Sequence, residues 1–261
     1  MLTRDDTAPN PSATPVQKLR LRYAKRGPLR FTSHRDVARA FERALRRAGV
    51  PMAYSQGFSP HPKISWIGAS PTGVASEAEY VEIQVVEVVD PVHLVSRLDA
   101  VLPSGLDLLE AVPASGPGSL TERIEASRWR VEFPGVSARH LQQAVTRLLA
   151  AESVQVERLT KQGMRTIDVR PAVVSAEVSG INEAYGILEL VVLQLTPAVR
   201  PDDVMSALRV VAALDPPVPA KATRMAQGRL DDSGGLSDPL AQDRVAASGE
   251  TLGEPALRDV D

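Results

Sequence analysis

The sequence predicts an α+β protein made of two tandem ferredoxin-like units, each a β-α-β-β-α-β run, with disordered tails. Three observations carry that prediction. Between Gln17 and Val112 the apolar pattern switches between period two and a four-residue spacing in the order strand, helix, strand, strand, helix, strand. A similar succession returns after Trp129, although no residue-level repeat accompanies it. Between the two lies Pro113-Ala-Ser-Gly-Pro-Gly-Ser119, a run of flexible and helix-breaking residues. The resulting division is an N-terminal disordered tail at 1–16, a basic unit at 17–112, a linker at 113–123, a second unit at 124–230 and a disordered acidic tail at 231–261.

Each element has a local reason. Leu19, Leu21 and Tyr23 alternate with Lys18, Arg20 and Arg22 as a half-buried strand. Ser33 with Asp36 three residues on forms a capping signal, Val37, Phe41 and Leu45 repeat at helical spacing, and Gly49 supplies the stop. Strands follow at 63–67 and 79–89, then a helix opened by Asp90-Pro91 that ends near Pro103-Ser-Gly105, then a strand at 106–112. In the second unit Trp129, Val131 and Phe133 mark a strand, and Ser137 opens a helix through Leu141, Val145 and Leu148. A hairpin runs through 154–159 and 164–169, turning at Lys161-Gln-Gly163. The apolar stretch 187–195, a helix opened by Pro201-Asp-Asp203 and a strand at 218–225 complete the pattern. From Asp231 onward there are no aromatic residues and many Gly, Ser, Asp and Pro, a composition that buries too little apolar surface to offset its ordering entropy.

Composition excludes several classes of function. The chain of 261 residues has no cysteine, so it has no disulfide, thiolate zinc site, thiol nucleophile or cysteine-held iron-sulfur cluster. It has no apolar run near the roughly 18 residues that span a bilayer, and its first residues lack a secretory h-region, so the expectation is a cytoplasmic protein. No phosphate loop or dinucleotide fingerprint is present. The four histidines, His34, His61, His93 and His140, share no metal-site spacing, so neither metal nor cofactor is expected.

Charge is unevenly spread. Between Gln17 and Lys63 twelve basic residues stand against two acids, whereas the last 31 residues carry eight acids against Arg244 and Arg258. At 100° per residue, Arg35, Arg39, Arg43, Arg46 and Arg47 gather opposite the apolar arc of the first helix. Such a face, short of acids to pair with, suits a polyanion, since guanidinium forks match phosphate oxygens bidentately. Gln56, His61 and Lys63 lie in the following proline-rich loop and are candidates to touch a phosphate or base beside it. The outward face of the first sheet offers Arg20, Arg22, Tyr80, Glu82 and Gln84, too few aromatics for a base-reading RNA-recognition motif.

Three segments carry a family resemblance: Phe31-Thr-Ser-His-Arg-Asp36 before the arginine-studded helix, Tyr54-Ser-Gln-Gly-Phe-Ser-Pro-His-Pro-Lys-Ile-Ser65, and Glu77-Ala-Glu-Tyr80. Together they resemble the radical-SAM-linked protein family of bacteria. The resemblance is strongest from Lys18 to about Val85 and runs more loosely to about Arg229. Ser59 departs from it, standing where the family's turn has Asn. The resemblance implies a radical S-adenosylmethionine protein, or ribonuclease E/G, as partner. The missing cysteines exclude that this chain is itself the radical enzyme.

The leading expectation is a non-catalytic RNA-binding or adaptor protein that serves a separate RNA-modification or RNA-processing enzyme, with transfer or ribosomal RNA as the ligand. One alternative is a metal-independent endoribonuclease with His34 or His61 as general base and Lys25 or Lys63 at the phosphate. A third is a protein-protein accessory whose arginine helix docks on an acidic partner.

Overall fold

The computed structural model describes residues 13–160, 163–182 and 184–248. The expected tails at 1–12 and 249–261, and Lys161-Gln162 of the predicted turn, lie outside the described residues. The elements are β1 (Gln17–Lys25), α1 (His34–Arg47), β2 (Ile64–Ile67), β3 (Ala75–Val85), α2 (Pro91–Asp99), β4 (Leu106–Pro113), β5 (Ala126–Pro134), α3 (Ala138–Ala150), β6 (Gln155–Thr160), β7 (Gly163–Asp168), β8 (Val173–Asn182), β9 (Tyr185–Leu193), α4 (Pro201–Ala212), β10 (Lys221–Leu230), β11 (Leu236–Ser237) and α5 (Ala241–Ser248). The fold is mixed α+β, dominated by one mostly antiparallel nine-stranded sheet.

The sheet runs β4-β1-β3-β10-β5-β9-β8, with β2 on β3 and β11 on β10. Its one parallel junction, β3 against β10, joins the two halves through the register pairs Thr223 with Ala75 and Arg224 with Ser76. Leu19, Leu21 and Tyr23 pack with Phe41, Leu45, Leu94 and Leu98 in one apolar core. Trp129, Val131 and Phe133 pack with Leu141, Val145, Val204 and Leu208 in another. The alternation read from the sequence therefore sets which face of each half meets its helices.

Three expectations need correction. The predicted hairpin pairs only with itself, as β6 with β7, and forms no part of the main sheet. It is pinned by Val156 and Ile167 in the second core and by Arg158, which donates to Asp203 of α4 at 2.6 Å. The strand that does join the sheet is β8, whose Ser, Ala, Glu and Gly residues give no clean alternation because it is an edge strand paired only with β9. The stretch 113–123 is also less free than a linker. Ala114 continues the strand pairing by donating to the Lys18 carbonyl at 2.9 Å, and the Arg123 side chain is buried.

The largest correction concerns the acidic tail, which is ordered as far as Ser248. It does not dock by an apolar stripe, the only signal that a periodicity search registers. Its central contact is one carboxylate. Asp243 is fully buried and accepts from Arg20 at 2.8 Å, from Arg123 at 2.7 Å and from the Gly116 N–H at 2.8 Å. Leu240 joins Ile67, Tyr80, Val112, Leu120 and Ile124 in a small third cluster, and Arg244 binds Glu110 of β4. Gly228 permits β11 to lie close, since any side chain there would meet the Ser237 carbonyl. The sheet face expected to be open, with Arg20 and Tyr80 on it, is covered by this segment.

Burial works against the charge on Asp243, but Arg20, the Gly116 N–H and Arg123 outweigh it and hold its carboxyl below the usual aspartate range. Asp243→Ala, which strands two buried guanidiniums, is expected to cost about 3 kcal/mol in denaturant unfolding. Removing 231–261 should cost at least as much in the same denaturant titration. A folded pKa below the unfolded value near 3.9 makes this stabilisation complete above about pH 4 and lost as pH falls through the folded value. Asp243→Asn should accordingly lose less stability than the native chain between about pH 4 and 2, read by acid titration of circular dichroism.

Candidate nucleic-acid interface

Helix α1 forms as its sequence directs at both ends. Ser33 Oγ accepts from the Asp36 N–H at 3.3 Å, and the Asp36 carboxylate accepts from the Ser33 hydroxyl at 2.7 Å. At the other end Gly49 takes φ +61°, its N–H bonds the Arg46 carbonyl at 3.1 Å, and the Val50 N–H bonds the Leu45 carbonyl at 3.0 Å. Val37, Phe41, Ala44 and Leu45 are buried against the sheet. That fixes the rotation of the helix and turns Arg35, Arg39, Arg43, Arg46 and Arg47 outward, all exposed.

The structure sorts ten of the twelve cations of this segment, all but Arg30 and Lys63, into two groups. Lys18 and Arg20 pair with Glu82, Arg22 approaches Glu110 at 4.0 Å, and Arg26 bonds Glu77 and Asp107. Lys25 is buried, its ammonium donating to the carbonyls of Ser70 at 3.4 Å and Pro71 at 3.1 Å. Burial depresses its pKa, against the opposing pull of Glu79. All five are engaged by partners within the fold, Arg20 and Lys25 in its interior and the others at its surface. On α1 only Arg39 has an acidic neighbour, Asp36 at 3.9 Å, while Arg35, Arg43, Arg46 and Arg47 make no ion pair among the described residues. Glu42 is the remaining acid on the helix.

The loop after α1 is closed at its base, where the Ser55 N–H donates to the His61 carbonyl at 2.9 Å and Ser55 Oγ accepts the His61 N–H at 3.0 Å. Gln56 and His61 are exposed, and Lys63 is half-buried with its backbone bonded to Ala53 and Gln84. The stem residues Tyr54 and Ile64 pack on the core that α1 covers. His34 stands at the start of α1 with its ring 5.3 Å from Trp66, edge to face. Lys25, the cation of the endoribonuclease reading, is enclosed and out of reach of an RNA phosphate.

Sequence reasoning missed three features of this face. Arg97 of α2 donates to the Ala48 and Gly49 carbonyls at the end of α1, adding a cation where the helix dipole is negative. Its 49-residue separation from Ala48 hides that contact from any local pattern. Phe31 is 61% exposed beneath the Arg30 guanidinium, 4.6 Å from the ring centroid, and Phe58 is wholly exposed at the tip of the loop. An aromatic inside a glycine- and proline-rich turn was the available signal. Among the described residues no three metal-ligating side chains come together. No helix among them is long and apolar enough to cross a membrane.

Residues 18–210 match the family described as "Uncharacterized protein conserved in bacteria (DUF2344)". No curated protein matches the sequence. Similar solved structures include an unknown protein from Galdieria sulphuraria, at 14% identity over 80% of this chain and 98% of that one, with a TM-score of 0.24. The encapsulated DyP-type peroxidase from Mycobacterium smegmatis is 9% identical over 85% and 94% of the two chains, with a TM-score of 0.21. DyPB from Rhodococcus jostii RHA1 is 12% identical over 87% and 95%, with a TM-score of 0.22. Scores this low carry no argument about activity.

An exposed arginine face whose one ion pair is the solvated Arg39–Asp36 contact should be replaceable with little harm to the fold. Gln ranks close to Arg in helix propensity, so the triple variant Arg39→Gln, Arg43→Gln, Arg46→Gln is expected to keep its unfolding free energy within about 1 kcal/mol of the native value, measured by denaturant titration.

Proposed function

This chain belongs to the DUF2344 family, and from that premise we propose that it is a non-catalytic RNA-binding or adaptor protein, made of two ferredoxin-like units, that presents RNA to a separate modification or processing enzyme. The strand orders β4-β1-β3-β2 and β10-β5-β9-β8, each with two helices, support the ferredoxin-like reading. The observation that carries the functional reading is the division of charge. Once acidic strands and buried carbonyls have taken up Lys18, Arg20, Arg22, Lys25 and Arg26, the arginines of α1 are left on one exposed helix face where only Arg39 has an acidic neighbour. Guanidiniums in that state favour a phosphate backbone, which they meet bidentately and at little desolvation cost. Gln56, His61 and Lys63 extend the same surface from the loop. A radical S-adenosylmethionine protein or ribonuclease E/G is the enzyme such an adaptor would serve.

Transfer RNA or a ribosomal RNA fragment should bind the full chain with strongly salt-dependent affinity. Replacing Arg39, Arg43 and Arg46 by Gln should flatten the slope of log affinity against log salt by about 2, at roughly 0.7 per lost phosphate contact on single-stranded regions. A wild type that binds no RNA at low salt, or a triple variant with an unchanged slope, would transfer the arginine face to an acidic protein partner. The endoribonuclease alternative is tested separately. RNA incubated with the protein without metal should yield no 2′,3′-cyclic phosphate ends, and such ends, lost on His34→Ala, would reverse the assignment.

A further inference from the structure

The chain has four phenylalanines. Phe41 and Phe133 are core residues, 1% and 0% exposed, whereas Phe58 and Phe31 stand in solvent. A single exposed aromatic needs no explanation. These two, however, flank in sequence the helix that carries five exposed arginines on one face. Phe31 comes two residues before Ser33, the N-cap of α1, and Phe58 projects from the loop whose stem shares the α1 core. Phe58 is wholly exposed, and Phe31 is 61% exposed. The Ser55–His61 backbone bonds close the loop beneath Phe58, and Gly57, at φ +119°, reverses the chain just before it, so the ring is carried outward on a braced stem.

Resting on the RNA reading of α1, we infer that the ligand is engaged as an unpaired strand, its phosphates on the α1 arginines and its bases stacked on Phe58 and Phe31. In an A-form duplex the base faces are covered by their neighbours and the deep major groove shuts out side chains, so an apolar ring finds nothing to stack on. An unpaired strand offers every base as a π-face, and a positive surface flanked by aromatics is the arrangement that holds one without reading its sequence. Phenylalanine, which has no hydrogen-bonding group, fits tolerance of sequence. The guanidinium of Arg30 over Phe31 adds a cation beside a stacking surface, suited to a base and its phosphate together.

The test is fluorescence anisotropy with the full chain and a labelled RNA of about 12 nucleotides, single-stranded, annealed to its complement, or carrying abasic positions. The expected result is that the single strand binds about tenfold tighter than the duplex and that abasic substitution weakens it. Phe58→Ala should lose roughly 5- to 100-fold on the single strand, the range for one stacked base, with an unchanged salt slope and little loss on the duplex. Phe58→Trp should restore binding. Because Phe58 is wholly exposed, the variant should fold, checked by its melting curve. Phe58→Ala binding the single strand within about twofold of the wild type overturns the proposal, as does an equal loss on both RNAs. An intact, arginine-dependent salt slope with no effect of Phe58 sinks base stacking alone. No RNA binding by the wild type at low salt sinks the reading of α1 and this inference together, and leaves Phe58 as an anchor for a protein partner.

Discussion

The ion pair between Glu79 and Arg224 sits where the continuity of the main sheet is weakest, and the two halves depend on it. β3 and β10 share only two register pairs there, so side chains do what the backbone ladder does elsewhere. Arg224 donates to Glu79, to Ser76 at 3.4 Å and to Gln227 at 3.0 Å, and lies over the Trp129 ring at 5.4 Å. Gln227 in turn donates to the Ala78 carbonyl at 2.5 Å, and the Ser70 N–H donates to Glu79 at 2.9 Å. Burial opposes the charge on Glu79, but the guanidinium beside it outweighs that cost and holds its carboxyl below the usual range. Such a pair adds little net stability over an apolar contact, yet breaking it leaves a buried charge, so it fixes how the halves meet.

A second buried carboxylate works in the same way on the opposite side of the first half. Asp243 joins Arg20 on β1 to Arg123 before β5, and in doing so closes the outward sheet face of the first half. Only the second of these devices draws on the basic excess of the N-terminal segment, through Arg20. The acids of β3, β4 and α5 compensate the cations on strands, where desolvation makes an unpaired charge expensive, and leave those of α1, where solvent carries the charge cheaply. The arginine face of α1 is thus a remainder, defined by what the fold does not neutralise.

That remainder is asymmetric in chemistry as well as in charge. The aromatic rings of Tyr23, Phe41 and Trp66 pack beneath α1, with centroids 4.7 to 6.0 Å apart, and give the arginine helix a rigid base. Rigidity matters for recognition because cations held on a fixed helix lose less freedom on meeting a ligand than cations on a mobile segment.

Much of this molecule could be read in its amino-acid sequence. The alternation of Leu19, Leu21 and Tyr23, the cap at Ser33 and the stop at Gly49 are local signals, decided within a few residues, and the arginine face of α1 follows from the helical period alone. The sequence likewise excluded thiolate and iron-sulfur chemistry. It did not disclose that β8 rather than the 154–169 hairpin completes the second half, because an edge strand is selected by its neighbour and not by its own pattern. Nor did it disclose that Lys25 and Arg20 are buried, that Arg97 reaches the end of α1, or that the acidic tail is ordered through Asp243. Each of these is a polar contact between residues 45 or more positions apart. A polar contact has no period to announce it: whether a charged side chain is solvated or enclosed depends on which distant partner the folded chain brings within about 3 Å, and only the tertiary structure decides that.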